Sequence, residues 1–102
     1  MKAIVVLTTV GAGFDAAALA QSLVEQRVAA CVNVLPEVRS IYRWKNAIED
    51  DREQLLVIKT TEERVEALRD ALFALHPYEV PEFVVLDAGV QGPYGEWLAG
   101  PV

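Results

Sequence analysis

Three features of this sequence predict a single α+β domain. Apolar runs of strand character stand at residues 3–7 and 82–86, and two segments carry helical periodicity. Between the helices lies a stretch long enough for two strands folded back on each other. With 102 residues and 53% hydrophobic side chains, the chain has material for one core and hence one domain, residues 1–102.

Residues 3–7 form a continuous apolar run that ends at Thr8 and Thr9, the pattern of a strand buried on both faces. Gly11 and Gly13 break the run, and Asp15 sits where a helix N-terminus favours a carboxylate. Ala16, Leu19, Ala20 and Leu23 then fall at i, i+3, i+4 and i+7, so a helix is expected over 14–27. A long strand follows from Ala30 past Pro36 to Trp44. Lys45-Asn46 fits a two-residue hairpin loop, because Asn tolerates the left-handed backbone such a loop demands, and the return strand runs over 48–59. About fifteen residues of strand at roughly 3.3 Å each span about 50 Å, whereas a compact domain of this length is roughly 35 Å across. The hairpin is therefore too long to be covered by its own chain. Its tip carries Tyr42 and Trp44 on one face, and apolar strand edges left in water invite pairing with another chain, so the hairpin reads as an assembly arm.

Thr60 and Glu63 have capping-box spacing, which places the start of a second helix there. Val65, Leu68, Leu72 and Leu75 form its apolar stripe, and Pro77 ends it. Pro81 leads into a last strand over 82–86; the turn-rich residues 89–95 follow, and 94–98 suit a short C-terminal helix. The order strand, helix, strand, strand, helix, strand is the split βαβ arrangement of a ferredoxin-like fold. An internal echo agrees: Val6-Leu7-Thr8-Thr9 before the first helix matches Ile58-Lys59-Thr60-Thr61 before the second.

The formal charge of −6, with nine scattered Lys and Arg, argues against nucleic acid as a partner. The opening apolar run stops short of an export core of roughly 7–15 residues. Nor does any run approach the ~20 residues of a membrane span. A single cysteine cannot form an internal disulfide, which fits a reducing compartment. A soluble, cytoplasmic protein with no membrane partner is expected.

The densest candidate for chemistry is His76-Pro77-Tyr78-Glu79-Val80-Pro81, where prolines fix the backbone around the only histidine. His76 suits a metal ligand or general base, with Glu79 as second ligand or orienter. A structural role accounts for it almost as well, since the negative end of a helix dipole favours histidine and the prolines turn the chain. Cys31 lies in an apolar strand and reads as inert packing. Glu49, Asp50, Asp51 and Glu53 lack the spacing of a calcium loop and read as a charged guard on a strand edge. Lys59 and Arg43 either bind an anion in an intersubunit cleft or snorkel to water. One cysteine and one histidine cannot build a closed zinc site, so any tight metal site is shared between subunits or made mostly of carboxylates. No nucleophile motif is present, and no enzyme activity is expected, the alternative being His76 and Glu79 as an acid–base pair.

Several segments together resemble the CutA family of divalent-cation tolerance proteins: Ala29-Ala30-Cys31-Val32-Asn33-Val34-Leu35-Pro36, Ser40-Ile41-Tyr42-Arg43-Trp44, Leu56-Val57-Ile58-Lys59-Thr60-Thr61 and His76-Pro77-Tyr78-Glu79-Val80-Pro81-Glu82, with Tyr94 and Trp97 near the end. The likeness covers nearly the whole chain in the family's order. It implies a ferredoxin-like subunit in a homotrimer held by exchanged long strands, an architecture similar to the trimeric PII signalling proteins. It also implies a role in tolerance of copper and other divalent cations, with none required for folding. Metal ions or a small ligand would then bind at intersubunit clefts, with Trp44, Lys59 and Tyr78 as ligand-binding residues and His76 and Glu79 toward metal. The alternative it carries is a PII-like trimer that senses an anionic metabolite through Lys59 and signals to a protein partner through the hairpin tip. The chain departs from the family pattern at Lys45-Asn46-Ala47, where Glu-Gly-Lys is usual, and at Thr8 and Leu75, where some members carry cysteine and histidine. Two potential copper ligands are thus absent, and His76 alone of that set remains.

Overall fold

The hairpin dominates the computed structural model, which describes residues 2–101. Strand β2 (Cys31–Trp44) and strand β3 (Ala47–Thr61) are joined by Lys45 and Asn46 alone, and both adopt positive φ, 49° and 67°. A turn with two left-handed residues matches the twist of its flanking strands, which is why Asn is at home there. Pro36 can donate no ladder hydrogen bond, and the β2–β3 register shifts between Leu35 and Val38 around it. The arm stretches the molecule to 44 × 24 × 22 Å, and at its tip Ile41 and Ile48 are 67% and 62% exposed.

The remaining elements are strand β1 (Ala3–Gly11), helix α1 (Ala16–Glu25), a 3-10 turn (Glu62–Arg64) leading into helix α2 (Val65–Leu75), strand β4 (Val84–Ala88) and helix α3 (Pro93–Ala99). The sheet order is β2-β3-β1-β4, with every neighbouring pair antiparallel. This is the split βαβ order that the sequence predicts.

The element boundaries depart from expectation in four places. Strand β1 runs on to Gly11, because β3 offers a partner as far as Gly11↔Glu53. The apolar run marks only Ala3 to Leu7, the part that β4 also flanks. Helix α1 is shorter than 14–27: the Asp15 carboxylate accepts the Ala18 N–H at 3.0 Å and starts it, and Arg27 at φ 62° lies beyond its end. The Thr60–Glu63 capping box does not form. Thr60 is fully buried and donates to the Val28 carbonyl at 2.8 Å, while the Glu63 carboxyl is held below its usual pKa by its own backbone N–H and the Thr61 hydroxyl. Strand β4 begins at Val84, because Phe83 turns under α2 and meets Phe73 edge-on at 5.7 Å.

Helices α1 and α2 cover one face of the sheet. Ile4, Val6 and Val10 of β1 and Leu56 and Ile58 of β3 pack there against Leu19, Leu23, Leu68 and Leu72. On the opposite face α3 shields only one end, where Leu98 closes on Ala3 and Ala30. Arg64 ties α3 down by donating to the Leu98 and Gly100 carbonyls at 3.1 and 2.6 Å. The rest of that face stays open and apolar, with Leu35, Val84 and Leu86 between 40% and 45% exposed. Cys31 lies on this open face, half-buried, with Sγ 4.0 Å from the Asn33 side-chain oxygen, rather than packed in an interior.

The internal echo has a structural meaning. Thr8 and Thr60 are both fully buried on adjacent central strands. Thr60 Oγ1 holds the chain leaving α1, at Val28, and Thr8 Oγ1 lies 3.3 Å from the residue leaving α2, His76.

Candidate functional site

Strand β4 pairs with β1 only as far as Leu7, so beyond that point the edge of β1 has no strand beside it. Pro77 forces His76 into extended backbone, φ −73° and ψ 134°, and the chain leaving α2 folds over this edge. His76 Nε2 lies 2.9 Å from the Thr9 carbonyl, and its Nδ1 accepts the Tyr78 backbone N–H at 3.1 Å. A carbonyl can only accept, so the hydrogen-bond network assigns the ring proton to Nε2 and makes His76 a neutral donor to Thr9. Burial lowers its pKa, against smaller upward pulls from the Thr9 carbonyl and Glu53. At 8% exposure, with both nitrogens engaged, His76 positions the loop.

The Tyr78 ring sits 4.9 Å from the imidazole, and its hydroxyl donates to Glu53 Oε2 at 2.6 Å. Glu53 stands on β3 opposite Gly11, and only 6% of it is exposed. Burial, followed by the bond to Glu53, pushes the Tyr78 phenol well above its ordinary pKa. Burial and the same carboxylate raise Glu82. Nearer the hairpin tip, the Tyr42 hydroxyl donates to Asp51 Oδ2 at 2.5 Å, and that bond pushes its pKa up to about 12.

Two hollows flank these tyrosines. One of about 410 Å³ is walled by Trp44, Asp51, Pro77 and Glu79. Another of about 400 Å³ is walled by Thr9, Ser40, Glu53 and Glu82. Tyr42, Tyr78 and Val80 line both.

The structure thus brings together Trp44, Tyr78 and Glu79 of the residues singled out in the sequence, with His76 beneath them. It does not bring Lys59 to them within one chain. At roughly 3.3 Å per residue Lys59 lies about 26 Å along β3 from Asp51, and its Nζ sits 5.8 Å over the Tyr94 ring. Nor do His76 and Glu79 belong to a metal cluster: among the described residues no three His, Cys, Asp or Glu are grouped to hold an ion. Sequence reasoning missed Tyr42, Asp51, Glu53 and Glu82 as members of the site. A signal for Asp51 and Glu53 is there in hindsight, since they continue at period two the open-face stripe of Leu55 and Val57. The expected charge guard is instead a set of cross-strand pairs, Arg39 bidentate on Asp50 at 3.1 and 2.6 Å and Arg52 on Glu37 at 3.5 Å.

Comparison with known proteins bears on the family and the fold. Residues 4–100 match the family described as CutA1 divalent ion tolerance protein. The chain belongs to the CutA family. It is 46% identical over 95 residues to the divalent-cation tolerance protein CutA of Thermus thermophilus, covering 92% of each chain. It is 48% identical over 82 residues to human Protein CutA, spanning 78% of this chain and 45% of that one. Among solved structures, CutA1 from Oryza sativa superposes with a TM-score of 0.90 at 38% identity, over 96% of this chain and 91% of the other. The Thermus thermophilus CutA1 structure gives 0.88 at 44% identity over 94% of both. CutA relatives are named as tolerance proteins rather than enzymes. No helix among the described residues is long and apolar enough to cross a membrane.

Proposed function

We propose that this CutA chain contributes to divalent-cation tolerance in the cytoplasm as a homotrimer that holds a cation in the cleft between the hairpin tip and the His76–Pro81 loop, at the boundary between subunits. The observation that carries the reading is the cleft itself. Trp44, Tyr42 and Tyr78 wall it, and Asp51 and Glu79 supply negative charge. Self-association is supported by the open apolar sheet face and the bare hairpin tip, which a second copy would remove from water. The donors facing the cleft are carboxylate and phenol oxygens, which suit hard divalent ions better than copper. For His76 to ligate copper, it must first release the Thr9 carbonyl or the Tyr78 N–H. The anionic-metabolite alternative draws less support, because none of the lining residues is Lys or Arg.

Isothermal titration of the assembled protein with magnesium, zinc and copper tests the reading. Saturable heat that is lost in Asp51→Asn and Glu79→Gln is expected. Absence of heat from every metal removes the direct-binding part, and sedimentation as a stable monomer removes the assembly.

A further inference from the structure

Lys59 is the cation that the cleft leaves out. It continues on β3 the open-face stripe of Leu55 and Val57, at the opposite end from Asp51 and Glu53, and stands between Val5 of β1 and Cys31 of β2. The side chain is half-buried, and its ammonium lies 5.8 Å over the Tyr94 ring. No ion pair among the described residues includes it. Roughly 20 Å away along β3, the hollow of Glu53 and Glu82 has the opposite deficit, since no Lys or Arg lines it. Burial, then Glu53, hold the Glu82 carboxyl above its usual pKa, so a cation beside both is favoured.

Between these two ends the face is apolar. Leu35 and Leu86 are 40% and 45% exposed there, and Leu55 and Val57 are only half-buried within one chain. Covering such a face removes apolar surface from water, but it also strips water from Lys59 and from the hollow, and a charge so stripped is costly unless paired. One chain cannot supply the pairing, because β3 holds Lys59 and Glu53 apart. A second copy of this chain can. It presents the same apolar stripe with a cation at one end and carboxylates at the other, whereas an unrelated partner needs both charges at that spacing.

We infer that a second copy covers this face and that its Lys59 enters the hollow of Glu53 and Glu82, so that this hollow is complete only in the assembly. Each copy then gives one lysine and receives one, and the contact repeats at every boundary. The hollow of Asp51 and Glu79 stays open to the cation proposed above. The inference rests on the self-association in that reading and adds the residue that the neighbouring copy contributes.

The test is sedimentation equilibrium of the parent and its variants at the urea concentration that half-dissociates the parent, after circular dichroism in plain buffer confirms folding. Lys59→Met keeps the apolar stem and removes the charge. It should raise the dissociation constant at least about tenfold, the loss of one charge-assisted contact at each boundary. Lys59→Glu should weaken assembly further. Combining Lys59→Glu with Glu82→Lys should bring it back to within about tenfold of the parent, because the charges are exchanged rather than removed. Glu25→Lys, a reversal at an exposed acid of α1, should match the parent. If Lys59→Glu fails to fold, recovery of a folded assembly in the double exchange supports the contact, and continued failure there overturns it. Assembly of Lys59→Met as tight as the parent's, or a double exchange no tighter than Lys59→Glu, overturns the inference while leaving self-association standing. A parent that sediments as a monomer without urea removes both.

Discussion

The hydroxyl of Tyr78 is the contact on which the site's shape most depends, and Tyr78→Phe removes it while leaving the ring against His76. The bond runs at 2.6 Å to a carboxylate whose residue is 6% exposed. Hydrogen bonds to charged groups contribute roughly 1.5–3 kcal/mol. Tyr78 is itself 38% exposed, so water competes for the hydroxyl and the lower end applies, about 1.5 kcal/mol. Urea unfolding at fixed protein concentration reads this directly. With m of about 1–3 kcal/mol/M, the midpoint should fall by roughly 0.5–1.5 M with m unchanged. Glu53→Gln made in the Tyr78→Phe background should cost less than in the parent, with a coupling of about 1 kcal/mol. The pH dependence follows from linkage. The folded phenol titrates above its ordinary value of 10.0, so its contribution is complete below that pH and is lost as pH rises through the folded pKa. Tyr78→Phe should reduce the alkaline loss, leaving the part that Tyr42, also raised, contributes. A variant within about 0.3 kcal/mol of the parent, additive with Glu53→Gln, would refute the argument.

Two further outcomes are expected. His76 titrates below its ordinary 6.5 when folded, so the stability it contributes is present above that pH and is lost as pH falls toward the folded pKa; urea midpoints taken from about pH 8 to about pH 5 should drop in the parent and flatten in His76→Gln. The Gln54 side-chain amide donates to the Gly11 and Phe14 carbonyls, each at 2.9 Å, and so holds the β1–α1 connection; Gln54→Leu should cost about 1–2 kcal/mol and speed amide exchange at Phe14 and Leu19.

Much of the site was legible because its loop is local. Two prolines bracket Tyr78 and Glu79, with His76 just ahead of them, and the structure keeps Tyr78 and Glu79 in one hollow with Trp44. Its other half comes from strand positions whose meaning depends on register. Glu53 reads in the chain as one acid among neighbours. It becomes a buried acceptor because β3 sets it opposite Gly11, within reach of the Tyr78 hydroxyl. Within one chain Lys59 stays apart from them for the same reason: a strand holds its residues at fixed rise, and no loop brings it back.

Sequence alone determined the order of elements, the left-handed turn at Lys45 and Asn46, the length of the arm and the family. These follow from periodicity, turn chemistry and motif, which act over a few residues. Tertiary structure decided that Thr60 clamps Val28 rather than capping a helix, that His76 spends both nitrogens on backbone, and that Tyr42 and Tyr78 each hold a carboxylate. Those choices are competitions between partners far apart in the chain, and only the packed sheet brings the competitors within reach.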